Sequence, residues 1–181
     1  MSFSYERADN WRGSGRTTRY HVDGKALKEW GQGNRASFIL SYNSPTGYYL
    51  KTPSMAQWNA LGTKANYAAS FKTGEASYYK FEENQRNSLI LGAPVHLHLT
   101  QTLTADITPY CDYFWGYGDG GTTLPTSYSY VGNQYTGPLQ VSQSGSSIIG
   151  AAIDTFTERN SGLNSAIHWK TKQTGTATLP P

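Results

Sequence analysis

The feature that most restricts this chain is a two-residue alternation between Ala93 and Thr108. One register holds Ala93, Val95, Leu97, Leu99, Gln101, Leu103, Ala105 and Ile107. The other holds Pro94, His96, His98, Thr100, Thr102, Thr104, Asp106 and Thr108. Successive side chains of an extended strand point to opposite faces, so this pattern predicts an apolar inner face and a polar outer one. Residues 93–108 outrun the usual strand of about 5–6 residues, so a bend or tight turn near Thr100–Thr102 is expected to divide them.

Similar chemistry recurs along the chain. Further strands are expected at Ser37–Tyr42, Gly47–Lys51, Tyr67–Lys72, Ala76–Glu82, Ser127–Val131, Leu139–Ser142 and Ala166–Lys172. Tyr, Thr, Val and Ile dominate these runs, and Gly, Asn, Pro and Ser separate them. Many short strands with one apolar face predict an all-β protein, a two-sheet β-sandwich with one or two short helices. Asp23 could cap a short helical turn through Leu27 and Trp30, closed by Gly31, and Ser54 to Leu61 has a similar start with Gly62 as its stop. Ile148, Ile149, Ala152, Ile153 and Phe156 fit a helical face, while Ile149, Ala151 and Ile153 fit a strand equally well.

Composition narrows the class. Hydrophobic residues are 37% of the 181, but aromatics alone are 14%, which leaves few aliphatics for a core. Charged residues are 15%, below the roughly 25% of an ordinary soluble domain. No apolar run of about 18 residues could form a spanning helix. Met1-Ser2-Phe3-Ser4-Tyr5-Glu6 lacks the basic start and apolar stretch of a signal peptide. The formal charge is +3, and the cations concentrate in the first third, whereas Asn87 to Thr157 contains no Lys or Arg. Trp11 to Tyr20 alternates Arg with Gly, Ser and aromatics, as a nucleic-acid arm or a solvated leader would. Residues 1–22 are read as a polar leader and 23–181 as one domain. Nucleic acid is not an expected partner, because the cations are few and form no single basic stripe.

Catalytic and metal motifs are thin, and no enzyme and no cofactor are expected. Gly116-Tyr117-Gly118-Asp119-Gly120-Gly121 matches a dinucleotide fingerprint in letters only. The segment after it, Thr122-Thr123-Leu124-Pro125, cannot open the helix that would meet a pyrophosphate. This stretch is expected to be a loop. His96 and His98 share one side of a strand and could supply two metal ligands, with Asp106 as the only nearby third. The single cysteine, Cys111, sits among Pro, Tyr and Asp without an evident base. Glu82/Glu83 and Asp106/Asp112 show no catalytic arrangement.

Aromatics carry the functional signal. Tyr110, Tyr113, Phe114, Trp115 and Tyr117 crowd together behind Pro109, and Tyr128, Tyr130 and Tyr135 follow. One strand face cannot bury them all. Exposed Tyr and Trp suit stacking on sugars, cradling a quaternary ammonium, or anchoring at a lipid–water boundary. The lack of cations here favours neutral sugars or zwitterionic headgroups.

Several segments resemble the actinoporin cytolysins and the related fungal fruit-body lectins. The likeness covers Gly74-Glu75-Ala76-Ser77-Tyr78-Tyr79, Asn84-Gln85-Arg86 as a polar turn, and Gly92-Ala93-Pro94-Val95. It extends to Ile107-Thr108-Pro109-Tyr110-Cys111-Asp112-Tyr113-Phe114-Trp115, the tyrosine-rich Tyr128 to Pro138, and Asn160-Ser161-Gly162 before Ala166-Ile167-His168. The resemblance implies an actinoporin-like sandwich that holds a phosphocholine headgroup or a glycan in an aromatic loop cluster. Its members are Pro109, Tyr110, Tyr113, Trp115, Tyr117, Tyr128 and Tyr135. It also implies a secreted or released protein, a membrane surface or glycan as partner, and a possible homo-oligomer. The family's headgroup serines and a valine fall at about Leu61, Ile107 and Pro94, which donate no hydroxyl hydrogen bond. Residues 1–22 lack the apolar helical face of the family's pore-forming segment. Two functions stay open: an actinoporin-like toxin or lectin that binds headgroups or glycans, and a viral or phage structural protein of capsid or surface type.

Overall fold

Alternating side chains and paired glycine turns lay most of this chain out as a meander. In the computed structural model, which describes residues 1–11, 14–49, 52–62, 68–71, 76–139 and 146–170, nine strands and one short α-helix are present. The strands are β1 (Ser2–Asp9), β2 (Arg16–Trp30), β3 (Asn34–Tyr48), β4 (Glu83–Gly92) and β5 (Val95–His98). They continue with β6 (Leu103–Pro125), β7 (Ser129–Val131), β8 (Gln134–Gly137) and β9 (Ser147–Trp169). The helix α1 (Met55–Leu61) stands between β3 and β4.

Seven strands form one antiparallel sheet, and β7 with β8 forms a separate hairpin. The neighbours run β1, β2, β3, then β4 and β5 end to end, then β6, with β9 at the far edge. Both β4 and β5 pair with β3 and with β6, in one register on either side of the Ala93-Pro94 break. The sequence is therefore right about the all-β class. Its second large sheet has no counterpart among the described residues, where the other sheet is the two-stranded hairpin.

Turn chemistry fixes the ends. Gly15, at φ 75°, closes the β1–β2 hairpin, and Arg16 Nε donates to Asp9 Oδ1 at 2.8 Å across its mouth. The expected boundary at residue 22 falls inside β2, so residues 1–22 supply β1 and the start of β2. The expected turn at Thr100–Thr102 is present: Leu99 N donates to Leu103 O, and Leu103 N donates to Thr100 Oγ1.

Other expectations need correction. Asp23 to Trp30 is strand, because every residue there has a partner on β3. Asp23 caps nothing; the Ser41 hydroxyl donates to its carboxylate and holds its pKa below the usual range. Ala76 to Glu82 is turn followed by a single 3₁₀ turn at Tyr79–Phe81. Phe71, Tyr78 and Phe81 meet edge to face there, a cluster that a two-faced strand could not assemble. Asn84-Gln85-Arg86 lies inside β4 rather than in a turn, and Ile148 to Phe156 belongs to β9. Ser54 to Leu61 is the expected helix, with a capping box in which Ser54 Oγ accepts from Gln57 N and Gln57 Oε1 accepts from Ser54 N. Parts of the strands expected at 47–51, 67–72, 139–142 and 166–172 lie outside the described residues, as do Gly74 and Glu75. Residues 68–70 are turn and bend, and none of 68–71 is strand.

Candidate functional site

Directly opposed residues of an antiparallel ladder share a face, so the registers sort the whole sheet into two surfaces. One surface carries Phe3 and Tyr5 on β1, Tyr20 and Val22 on β2, and Phe38, Leu40 and Tyr42 on β3. It continues through Leu89, Leu91, Val95 and Leu97 to Ile107, Cys111, Tyr113 and Trp115, then to Leu163 and Ile167 on β9. We term it the apolar face. The opposite, polar face is built from residues such as Arg19, His21, Asn43, Arg86, His96, Asp106, Asp112 and Glu158.

Nothing described covers most of the apolar face. The only buried hydrophobic residues among those described are Ala68 and Ala105. Phe38, in the middle of the sheet, is 49% exposed, while Phe3 on one edge strand and Trp169 on the other are 65% and 75% exposed.

The sequence-derived aromatic residues are divided by this geometry. Pro109, Tyr113, Trp115 and Tyr117 take alternate positions of β6 on the apolar face. Tyr113 stacks on Trp115 with ring centres 4.9 Å apart and a 27° tilt, and Tyr42 of β3 also stacks on Trp115 at 6.2 Å. The buried Ser44 hydroxyl donates to Asn87 Oδ1 at 2.7 Å, one strand pair away on the same face. Tyr117 donates its hydroxyl to Glu83 Oε1, and this bond, reinforced by partial desolvation, pushes its pKa up to about 12. Tyr110 points to the opposite face, where its hydroxyl crosses above Gly162. Tyr128 and Tyr135 stand on and beside the β7–β8 hairpin, with Tyr130 between them in an edge-to-face row. All three are exposed. The expected aromatic loop is thus a strand segment plus a separate hairpin. The glycines after it, expected in a loop, belong to the interior of β6. Gly121 must lack a side chain because a Cβ would stand 2.0 Å from the carbonyl oxygen of Ala76.

His96 and His98 do share the polar face, with rings 4.9 Å apart. The sequence reading missed His168, which β9 brings to the same place across 62 or more residues of chain separation. Asp106 links two of the three: its Oδ1 is 2.6 Å from His96 Nδ1 and its Oδ2 is 3.1 Å from His168 Nε2. The hydrogen bond with His96 holds Asp106 below the ordinary carboxylate range. Among the described residues no group of three or more His, Cys, Asp or Glu is placed to hold a metal ion. Cys111 is a half-buried free thiol on the apolar face. Only long-range pairing could have revealed His168, since its neighbours in sequence carry no histidine.

Fold and site together define an all-β protein built on one long antiparallel meander with an open apolar face. No family model matches the chain, and no solved structure matches it. Over 106 residues it is 24% identical to the glutamine synthetase of Rhizobium meliloti, a match that covers 55% of this chain and 32% of that protein. The chain thus spans about a third of that relative's length, and a likeness of this extent assigns it neither a family nor an activity.

Proposed function

We propose that this chain is a non-enzymatic structural subunit, of the viral or phage shell or surface type, whose apolar sheet face is covered by a second copy of itself. The observation that carries this reading is the uncovered apolar face itself. A single sheet cannot bury side chains that point away from it on its own; another layer, packed about 10 Å off, must do so. On this face Phe3, Phe38, Leu163, Ile167 and Trp169 are all exposed, apolar surface of the kind that an obligate dimer interface of about 2,000–5,000 Å² in total covers. The charged residues of this face, Arg7, Asp9, Arg16, Lys28, Glu83, Asp119 and Arg159, lie on the edge strands or toward the strand ends and leave its centre uncharged, which suits a self-complementary two-fold contact.

Light scattering behind size exclusion tests the reading. A dimer or larger assembly is expected, and Phe38→Asp, which sets a charge in the centre of the apolar face, is expected to dissociate or unfold it. Lys25→Ala, on the polar face, is the control and leaves the assembly unchanged. A monodisperse wild-type monomer at high concentration refutes the proposal.

The row of exposed Tyr128, Tyr130 and Tyr135 favours a second reading, a cell-surface binder of glycans or zwitterionic headgroups. Pull-down with phosphocholine vesicles and a glycan array, each repeated with Tyr130→Ala, separates it from the first.

A further inference from the structure

We infer that the polar face carries a pyranose-binding recess between Phe114 and Phe156, outside the tyrosine hairpin and on the side opposite the assembly face. This inference does not depend on the assembly reading. The polar face mixes Arg, Asn, Ser, His and Asp with scattered apolar side chains such as Leu27, Ile39, Ile90 and Tyr110, and on it two phenyl rings adjoin each other. Registers place them side by side: Phe114 lies opposite Glu158 on β9, and Phe156 lies opposite Gly116 on β6. Gly116 in turn faces Arg86 on β4. Arg86, Gly116 and Phe156 therefore form one row across three strands, with no side chain at its centre.

That gap is built into the backbone. A Cβ on Gly116 would stand 1.9 Å from the carbonyl oxygen of Gln85 and 3.1 Å from the tip of the Phe156 ring. The ring closes over the glycine from one side, and the Arg86 guanidinium reaches it from the other, 5.8 Å from the ring centre. The result is an open recess of about 610 Å³ whose lining includes Asn43, Pro45, Arg86, Phe114, Phe156 and Glu158. Its volume lies within the roughly 300–1,000 Å³ of ligand pockets.

The lining selects the ligand class. Arg86 and Glu158 bring one charge of each sign, so a phosphate or a nucleic-acid backbone gains nothing net from them. Planar amide, carboxylate and guanidinium groups suit the vicinal hydroxyls of a neutral sugar, offering paired donors and acceptors. A phenyl face suits the C–H face of the same ring, which is apolar. Asn160 Nδ2 donates to Glu158 Oε1 at 2.8 Å and so orients that carboxylate at the rim. Arg19 Nε donates to Asn43 Oδ1 at 2.6 Å, which leaves the Asn43 amide nitrogen as the donor to a ligand.

Saturation-transfer NMR on the full chain, with the methyl pyranosides of glucose, galactose, mannose and N-acetylglucosamine as probes, tests the site. At least one sugar is expected to take saturation at its ring C–H protons, and Phe156→Ala and Arg86→Ala are each expected to weaken it about tenfold. Phe156→Trp should keep or tighten binding. Phe156→Leu preserves an apolar cover over Gly116 without an aromatic face, so it should lose binding while circular dichroism stays unchanged. Light scattering on the same variants should show an unaltered assembly state, which separates failure here from failure of the assembly reading. Absence of saturation for all four sugars, or wild-type binding in Phe156→Leu and Arg86→Ala, overturns the inference. Sugar binding that is lost with Tyr130→Ala instead places the ligand on the hairpin and overturns it as well.

Discussion

Single side chains on this sheet are tuned by the strand next door. Tyr117 illustrates it: Glu83, one strand away, accepts its hydroxyl proton in a hydrogen bond and makes the tyrosinate hard to form. A group whose pKa is raised on folding stabilises the fold below its unfolded value and loses that contribution as the pH climbs. For Tyr117 the stabilisation is intact below about pH 10, the ordinary tyrosine value, and disappears by about pH 12. Tyr48 is raised as well, by burial and by a hydrogen bond to the same Glu83, so ultraviolet titration should show a late-titrating set whose latest step is absent in Tyr117→Phe and moves back toward pH 10 in Glu83→Gln. Were all tyrosines to titrate together near pH 10 in the native protein, the hydrogen bond would be refuted. None of this was legible in the sequence, because Glu83 and Tyr117 meet only through the β4–β6 register. The chemistry of aromatic crowding was legible; its division between two faces and a hairpin was not, since the expected loop hid the alternation of Tyr113, Trp115 and Tyr117.

At the level of elements, strand pairing outweighed local signals wherever the two disagreed. Asp23 and Gly31 look like a helix start and stop, yet a full ladder with β3 claims the segment. In contrast, the signals at Ser54 and Gly62 prevailed, because both arms of a capping box form there. The alternation over residues 93–108 gave β5, its turn and the start of β6 correctly. The glycines of β6 were misread because, in sequence, close backbone approach looks the same as flexibility. Substitution should separate those two meanings. Gly116→Ala forces a methyl carbon against the Gln85 carbonyl and is expected to destabilise the protein by about 1–3 kcal/mol. Gly120→Ala meets nothing within 4 Å and should be neutral or slightly stabilising. Urea denaturation followed by tryptophan fluorescence reads both, and equal midpoints for the two variants would contradict the packing at Gly116.

For the molecule as a whole, one feature dominates: Phe3, Phe38, Leu163, Ile167 and Trp169 stand exposed on the same face of the sheet. If copies supply the missing layer, folding and association are one equilibrium, and the unfolding temperature depends on protein concentration. Scanning calorimetry over a hundredfold dilution series should show the midpoint falling steadily with dilution. A midpoint independent of concentration would mean that each chain stands by itself.

The long ladder between β6 and β9 has a separate consequence for descent. It runs without a bulge from Leu103 opposite Trp169 to Pro125 opposite Ser147. Gaining or losing one amino acid inside either strand would turn every later side chain over, sending Trp115 or Ile167 to the wrong side. Two at a time would leave the sides intact. Lineages diverging from this protein should therefore vary these strands in steps of two, and confine single insertions to the turns.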